Sequence, residues 1–133
     1  MIVLKIAIKS SIQNVWNVWN TSNDITNWYS GHKDWNTTES INELKVGKSF
    51  CYSMMSKDKK SSFVFKGQYT RIDNYKMIRY LMEDKRKVET TFQEVENGVI
   101  IIQKIEVEDN NPPEIQALWW KTILSNFKKY AEN

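Results

Sequence analysis

The stretch Pro112-Pro113-Glu114-Ile115-Gln116-Ala117-Leu118-Trp119-Trp120-Lys121-Thr122-Ile123-Leu124-Ser125-Asn126-Phe127-Lys128-Lys129-Tyr130-Ala131-Glu132 decides how this chain folds. At about 100° per residue it reads as one long helix opened by prolines, with Ile115, Trp119, Trp120, Ile123, Leu124, Phe127 and Tyr130 on one broad apolar arc. Glu114, Lys121, Ser125, Lys128 and Lys129 fall opposite. An arc that wide must lie on something large and apolar, and the rest of the chain supplies strands.

Upstream, Ile2 to Lys9 alternates Ile2, Leu4, Ile6 and Ile8 against Lys5 and Lys9, the pattern of a half-buried strand. Ser10-Ser11 then offers an N-cap to a short helix carrying Ile12, Val15, Trp16 and Trp19 at helical spacing. Thr21-Ser22-Asn23-Asp24 interrupts it, and Ile25 to Trp28 reads as a second short helix. Gly31 to Asn42 reads as a polar loop punctuated by Trp35, with Gly47 as a turn before the next strand. From Ser49 the period is two: Phe50, Tyr52 and Met54 share a face, then Phe63, Phe65, Gly67 and Tyr69, then Ile78, Tyr80 and Met82, then Val88, Thr90 and Phe92. Lys57-Asp58-Lys59-Lys60, Asp73-Asn74 and Asp84-Lys85 turn the chain between them. Asn97-Gly98, a strong hairpin signal, precedes the β-branched run Val99 to Val107.

This order predicts an α+β fold in which a curved antiparallel sheet of about six strands wraps around the terminal helix, with two short helices after the first strand. Residues 1–133 are expected to form one domain, long enough to bury a core without disulfides or metals. The single cysteine, Cys51, excludes an intrachain disulfide, and no apolar run approaches the roughly 20 residues that span a bilayer. The amino-terminal strand is too short and too charged for a signal segment, so a cytoplasmic location is expected. The net charge of +3 is spread over lysines balanced locally by acids, which argues against a nucleic-acid partner.

Catalytic machinery is sparse. The only histidine, His32, sits in a polar loop, so neither a His-based triad nor a multi-His metal site can form within one chain. Cys51 points away from Phe50 and Tyr52 with no base beside it, which suits a structural thiol. Glu106 and Glu108 share the outer face of the last strand with Lys104, and the bend that follows turns Glu108 toward the helix start, where a carboxylate complements the dipole. No catalytic residue, metal ligand or cofactor is assigned.

A curved sheet and a helix rarely close perfectly, and the gap between them is a natural ligand cavity. Among polar groups, Tyr52, Tyr69, Tyr80, Thr90 and Gln103 lie on the predicted inner face among apolar neighbours. The rings of Trp28, Trp35, Phe50, Phe63, Phe65, Phe92, Trp119 and Phe127, with Ile123, are candidates for its walls. Trp35 has little local reason to exist on a polar loop unless it folds over the cavity mouth.

In combination, Asn14-Val15-Trp16 with Trp19, Ile25 and Trp28, then Glu43-Leu44-Lys45-Val46-Gly47-Lys48-Ser49-Phe50 with Tyr52 and Met54, then Phe63-Val64-Phe65-Lys66-Gly67-Gln68-Tyr69 with Ile72, resemble a known family. So do Glu108, Glu114, Gln116, Trp120, Ile123-Leu124 and Asn126 to Tyr130. The family is the domain related to the activator of the 90-kDa heat-shock protein ATPase, within the START-like (SRPBCC) helix-grip superfamily that includes polyketide cyclases and birch-pollen allergen relatives. The resemblance implies a fold and a cavity more than a reaction. The leading expectation is binding of a small hydrophobic or aromatic molecule, lipids included. A chaperone-related interaction module and a cyclase- or hydrolase-like enzyme using the same cavity are the alternatives, so a chaperone or a second copy of the chain is a further partner to consider. Two departures stand out: Ser10-Ser11-Ile12-Gln13 replaces a proline-led acidic motif, and Trp119 replaces the small residue the family usually has before its helical tryptophan. On this reading Trp119 decides whether the cavity is open or filled.

Overall fold

The computed structural model describes residues 1–133. The chain runs β1 (Ile2–Ile8), α1 (Ile12–Asn20), α2 (Ser22–Trp28), β2 (Trp35–Asn42), β3 (Ser49–Ser56), β4 (Ser62–Asp73), β5 (Met77–Met82), β6 (Lys87–Val95), β7 (Gly98–Ile105) and α3 (Pro113–Ala131). The strands make one antiparallel sheet in the order β1-β7-β6-β5-β4-β3-β2, curled around α3 in the helix-grip arrangement. No helix is long and apolar enough to cross a membrane.

The period-two pattern places the inner face as expected. Phe50, Tyr52, Met54, Tyr69, Ile78, Tyr80, Met82, Val88, Phe92, Val99, Ile101 and Ile105 are buried in one core. Register shifts at Thr37/Glu39 in β2 and Tyr69/Arg71 in β4 mark bulges, which bend and twist a strand locally.

The sheet has seven strands rather than six, because the segment expected to be a polar loop ends in β2. As an edge strand with a largely hydrated outer face, β2 needs no apolar alternation. Its inward Thr37 is buried and donates to the Tyr29 carbonyl at 2.6 Å, a contact that hydropathy cannot signal.

Ser11 caps α1, its Oγ accepting from the Asn14 amide at 3.1 Å. Helix α3 opens on Pro113, with Glu114 in its first turn and Lys128 and Lys129 in its last, the polarity its dipole favours. Lys128 Nζ donates to the Ala7 carbonyl at 2.6 Å, and Glu132 accepts from the Lys9 amide at 2.7 Å, so the end of α3 is tied to β1. Phe127, wholly buried, meets Trp19 and Trp28 edge-on at centroid distances of 4.9 and 4.8 Å. Each such pair adds about 0.5–1.5 kcal/mol to the area it buries.

The apolar arc of α3 is only partly used. Trp120, Ile123, Leu124 and Phe127 are buried, whereas Ile115 and Trp119 retain 43 % and 38 % exposure. The arc is wider than the buried stripe: Gln116 and Trp120 of the same turns face inward, Trp119 stands at the edge of a cavity, and Ile115 lies outside it.

Candidate ligand cavity

Beside the first turns of α3 lies a cavity of about 510 Å³, within the range that holds a metabolite-sized molecule. Helix α3 contributes Gln116, Trp119, Trp120 and Ile123. The connection from α2 to β2 contributes Tyr29, Gly31, His32 and Asp34, followed by Trp35. Met54, Phe63, Phe65 and Met82 of β3, β4 and β5 form the sheet side, and Arg86 and Glu108 complete the wall.

The 29–35 connection is held in place. Asn126 Nδ2 donates to the Ser30 carbonyl at 3.0 Å, and Ser30 Oγ lies 2.7 Å from both the His32 and Trp35 carbonyls. A Cβ added at Gly31 would stand 3.3 Å from the Trp119 carbonyl and 3.5 Å from Trp119 Cβ, so glycine lets this connection close against α3. Trp35 packs edge-on against Phe63 at 5.1 Å across the mouth. His32 Nδ1 accepts from the Asp34 amide at 3.1 Å, fixing the turn at the rim.

At the other end, Gln116 is 2 % exposed and fully used. Its Oε1 accepts from the Glu108 amide at 2.9 Å, while Nε2 donates to the carbonyls of Glu108 at 3.0 Å and Asn111 at 2.7 Å. This fixes the β7–α3 connection. Asn111 Nδ2 donates to the Glu108 carboxylate, whose other oxygen lies 3.8 Å from the Arg86 guanidinium. Arg86 itself donates through Nε to Asp84 at 2.7 Å and through Nη1 to the Glu106 carbonyl at 3.2 Å. Glu108 is therefore not a residue of a solvated outer face: the bend after β7 carries it onto the cavity wall.

Tyr29, Trp120 and Ile123 also border a second, inner void of about 30 Å³, room for one water. They form the partition between the two spaces. Around the void stand Tyr52, Tyr69, Tyr80, Thr90 and Gln103. Gln103 Nε2 donates to Thr90 Oγ1 at 3.0 Å, Gln103 Oε1 is buried without a partner, and the Tyr69 hydroxyl donates to Asn42 Oδ1. Burial, reinforced by the neighbouring phenols, pushes the Tyr29 and Tyr52 hydroxyls well above their usual pKa, and burial does the same to Tyr80. They are protonated at neutral pH and present donors.

The residues expected at the site thus divide. Trp35, Phe63, Phe65, Trp119 and Ile123 stand on the large cavity, while Trp28, Phe50, Tyr52, Tyr69, Tyr80, Thr90 and Gln103 surround the inner void, which Ile123 also touches. Phe92 and Phe127 line neither space; both are buried, and each lies edge-on to Trp19. Trp119 does not fill the cavity but forms part of its rim. Met54 and Met82 were legible from their phase, which matches that of the inward tyrosines. Arg86 carried no such signal, and for Glu108 the bend before α3 pointed to the helix start but not to the cavity wall. No cavity hydroxyl bonds a carboxyl: Glu108 Oε1 accepts from Asn111, and Oε2 faces the Arg86 guanidinium at 3.8 Å.

The profile of a family described as Activator of Hsp90 ATPase homolog 1-like protein matches residues 9–132. Among solved structures, the chain is similar to the AHSA1-like protein from Aeromonas hydrophila at 33 % identity and a TM-score of 0.90, covering 98 % of this chain and 92 % of that one. A protein from Cytophaga hutchinsonii shares 32 % identity with a TM-score of 0.85, covering 99 % and 92 %. A Chromobacterium violaceum protein, at 17 % identity, a TM-score of 0.83 and coverage of 99 % and 96 %, shows the shared fold alone. No curated protein matches the sequence.

Proposed function

The chain belongs to the Activator of Hsp90 ATPase homolog 1-like family, and from that membership and the cavity we propose that it binds one small hydrophobic or aromatic molecule between its sheet and α3. The supporting observation is a cavity of about 510 Å³ walled mainly by tryptophan, phenylalanine, tyrosine and methionine side chains. Burying about 250 Å² of apolar ligand surface there would contribute about 6 kcal/mol before the costs of association. The protein acts in this reading as one unit of the cytoplasm, with a lipid or aromatic metabolite as its cargo.

Titration with the neutral fluorophore N-phenyl-1-naphthylamine tests this. The expected result is saturable enhancement at one probe per chain, with a raised melting midpoint. Ile123→Phe, which enlarges the partition side chain, is expected to weaken binding while the melt stays cooperative. No saturable binding by the wild-type chain, and no stabilisation by long-chain alcohols or phenols, would overturn the proposal.

The family description also supports a second reading, contact with the Hsp90 chaperone. Addition of this chain to purified Hsp90 tests it directly: stimulated ATP hydrolysis favours the reading, and an unchanged rate removes it.

A further inference from the structure

The charges on the large cavity narrow the class of molecule it would take. Asp34, Arg86 and Glu108 are its charged side chains, and His32 lies beside Asp34 on the same lining. His32 accepts the Asp34 amide through Nδ1 at 3.1 Å, and the Asp34 carboxylate lies 3.5 Å from the same nitrogen. Arg86 is the only cation and it is already engaged, through Nε with Asp84, through Nη1 with the Glu106 carbonyl, and through Nη2 at 3.8 Å from Glu108. An incoming carboxylate would have to displace one of these partners.

The negative side is less spent. Glu108 Oε2 accepts no hydrogen bond from the protein, and its nearest cation is the guanidinium at 3.8 Å. Asp34 stands at the rim with its side chain 65 % exposed. Two carboxylates, Asp84 at 2.7 Å and Glu108 at 3.8 Å, face the one guanidinium, and Asp34 adds a third negative charge elsewhere on the cavity lining. The same cavity is lined by the rings of Tyr29, Phe65, Trp119 and Trp120, whose faces are electron-rich. An aromatic wall with surplus negative charge attracts a cation by both its ring quadrupoles and its carboxylates, and repels an anion.

We propose that the ligand is a hydrophobic cation, an amine or quaternary ammonium on an alkyl or aromatic body. Its nitrogen lies near Glu108 against the tryptophan faces, and its apolar part fills the rest of the cavity. The inference rests on the small-molecule reading above and sharpens it.

Decyltrimethylammonium, decanol and decanoate share one chain length and differ in head-group charge. In calorimetric titrations below the micellar range, the ammonium is expected to bind at least about tenfold more tightly than the alcohol, and decanoate more weakly than either. Glu108→Gln is expected to lower the ammonium affinity about tenfold and leave that of decanol unchanged, with Asp34→Asn acting in the same direction but less. Equal binding of ammonium and alcohol, or tightest binding of decanoate, would overturn the inference and leave the small-molecule reading standing. Binding of none of the three would overturn the inference, and the naphthylamine titration then decides the small-molecule reading separately.

Discussion

The ring of Phe50 lies across Gly67, its register partner on β4, so closely that a Cβ at Gly67 would stand 2.3 Å from Phe50 Cε2 and 3.0 Å from the Tyr80 ring. The missing side chain on β4 is what lets Phe50 turn inward and meet Tyr80 edge-on at 4.8 Å. Gly67→Ala is therefore expected to destabilise the fold by about 1–3 kcal/mol, read from urea unfolding. In a Phe50→Leu background the same change should cost less, since the two residues compete for one space. An equal cost in both backgrounds would show that the ring is not the obstacle.

Gln116 makes three hydrogen bonds from a buried position, so Gln116→Leu fills the same volume but strands two groups of Glu108 and the Asn111 carbonyl. The expected loss is about 2–3 kcal/mol, measured by urea unfolding. Because the same bonds position Glu108, a drop in ligand affinity larger than that of Gln116→Glu would mark the clamp as part of the site.

Burial holds the Tyr29, Tyr52 and Tyr80 hydroxyls above their ordinary value of 10.0. Near pH 10 the unfolded chain releases phenolic protons that the folded chain keeps, so the stability they confer is complete below about pH 10 and falls as pH rises through the folded values. The decline is up to about 1.4 kcal/mol per pH unit for each phenol. Urea midpoints should fall from about pH 10 upward, with tyrosinate absorbance appearing in step with unfolding, and Tyr52→Phe should flatten the decline. Tyrosinate formation in a still-folded chain would contradict the burial of these groups.

Trp119 is 38 % exposed at the rim, with its backbone against Gly31, so Trp119→Ala removes rim without opening the core. Its effect on the melting midpoint should be small, within about 1 kcal/mol in stability. Dissociation of N-phenyl-1-naphthylamine should become faster, as stopped-flow fluorescence would detect. An unaltered rate would mean that ligands enter elsewhere.

The strands from Ser49 onward were legible because their inward positions repeat every second residue, and the core then follows from phase alone. Strand β2 was not, since Thr37, Thr38, Glu39 and Ser40 carry no apolar alternation and their pairing with β3 depends on partners elsewhere in the chain. Helical periodicity identified the apolar arc of α3 but not what faces it, so it could not tell that Trp120 is buried between the two spaces while Trp119 stays 38 % exposed at the edge of the larger one. The cavity wall was hardest to read. Asn126 holds Ser30 across 96 positions, and Arg86 meets Glu108 through a bend, neither of which leaves a spacing in the sequence.

Helix α3 is supported like a beam. One end is clamped by Phe127, by Lys128 on Ala7 and by Glu132 on Lys9, while the other has Gln116 as its one hydrogen-bonded prop to the β7–α3 connection. A guest entering beneath the span works against that prop and not against the clamp. Admission and global unfolding are then separate mechanical events, and hydrogen exchange should fall into two regimes along this one helix.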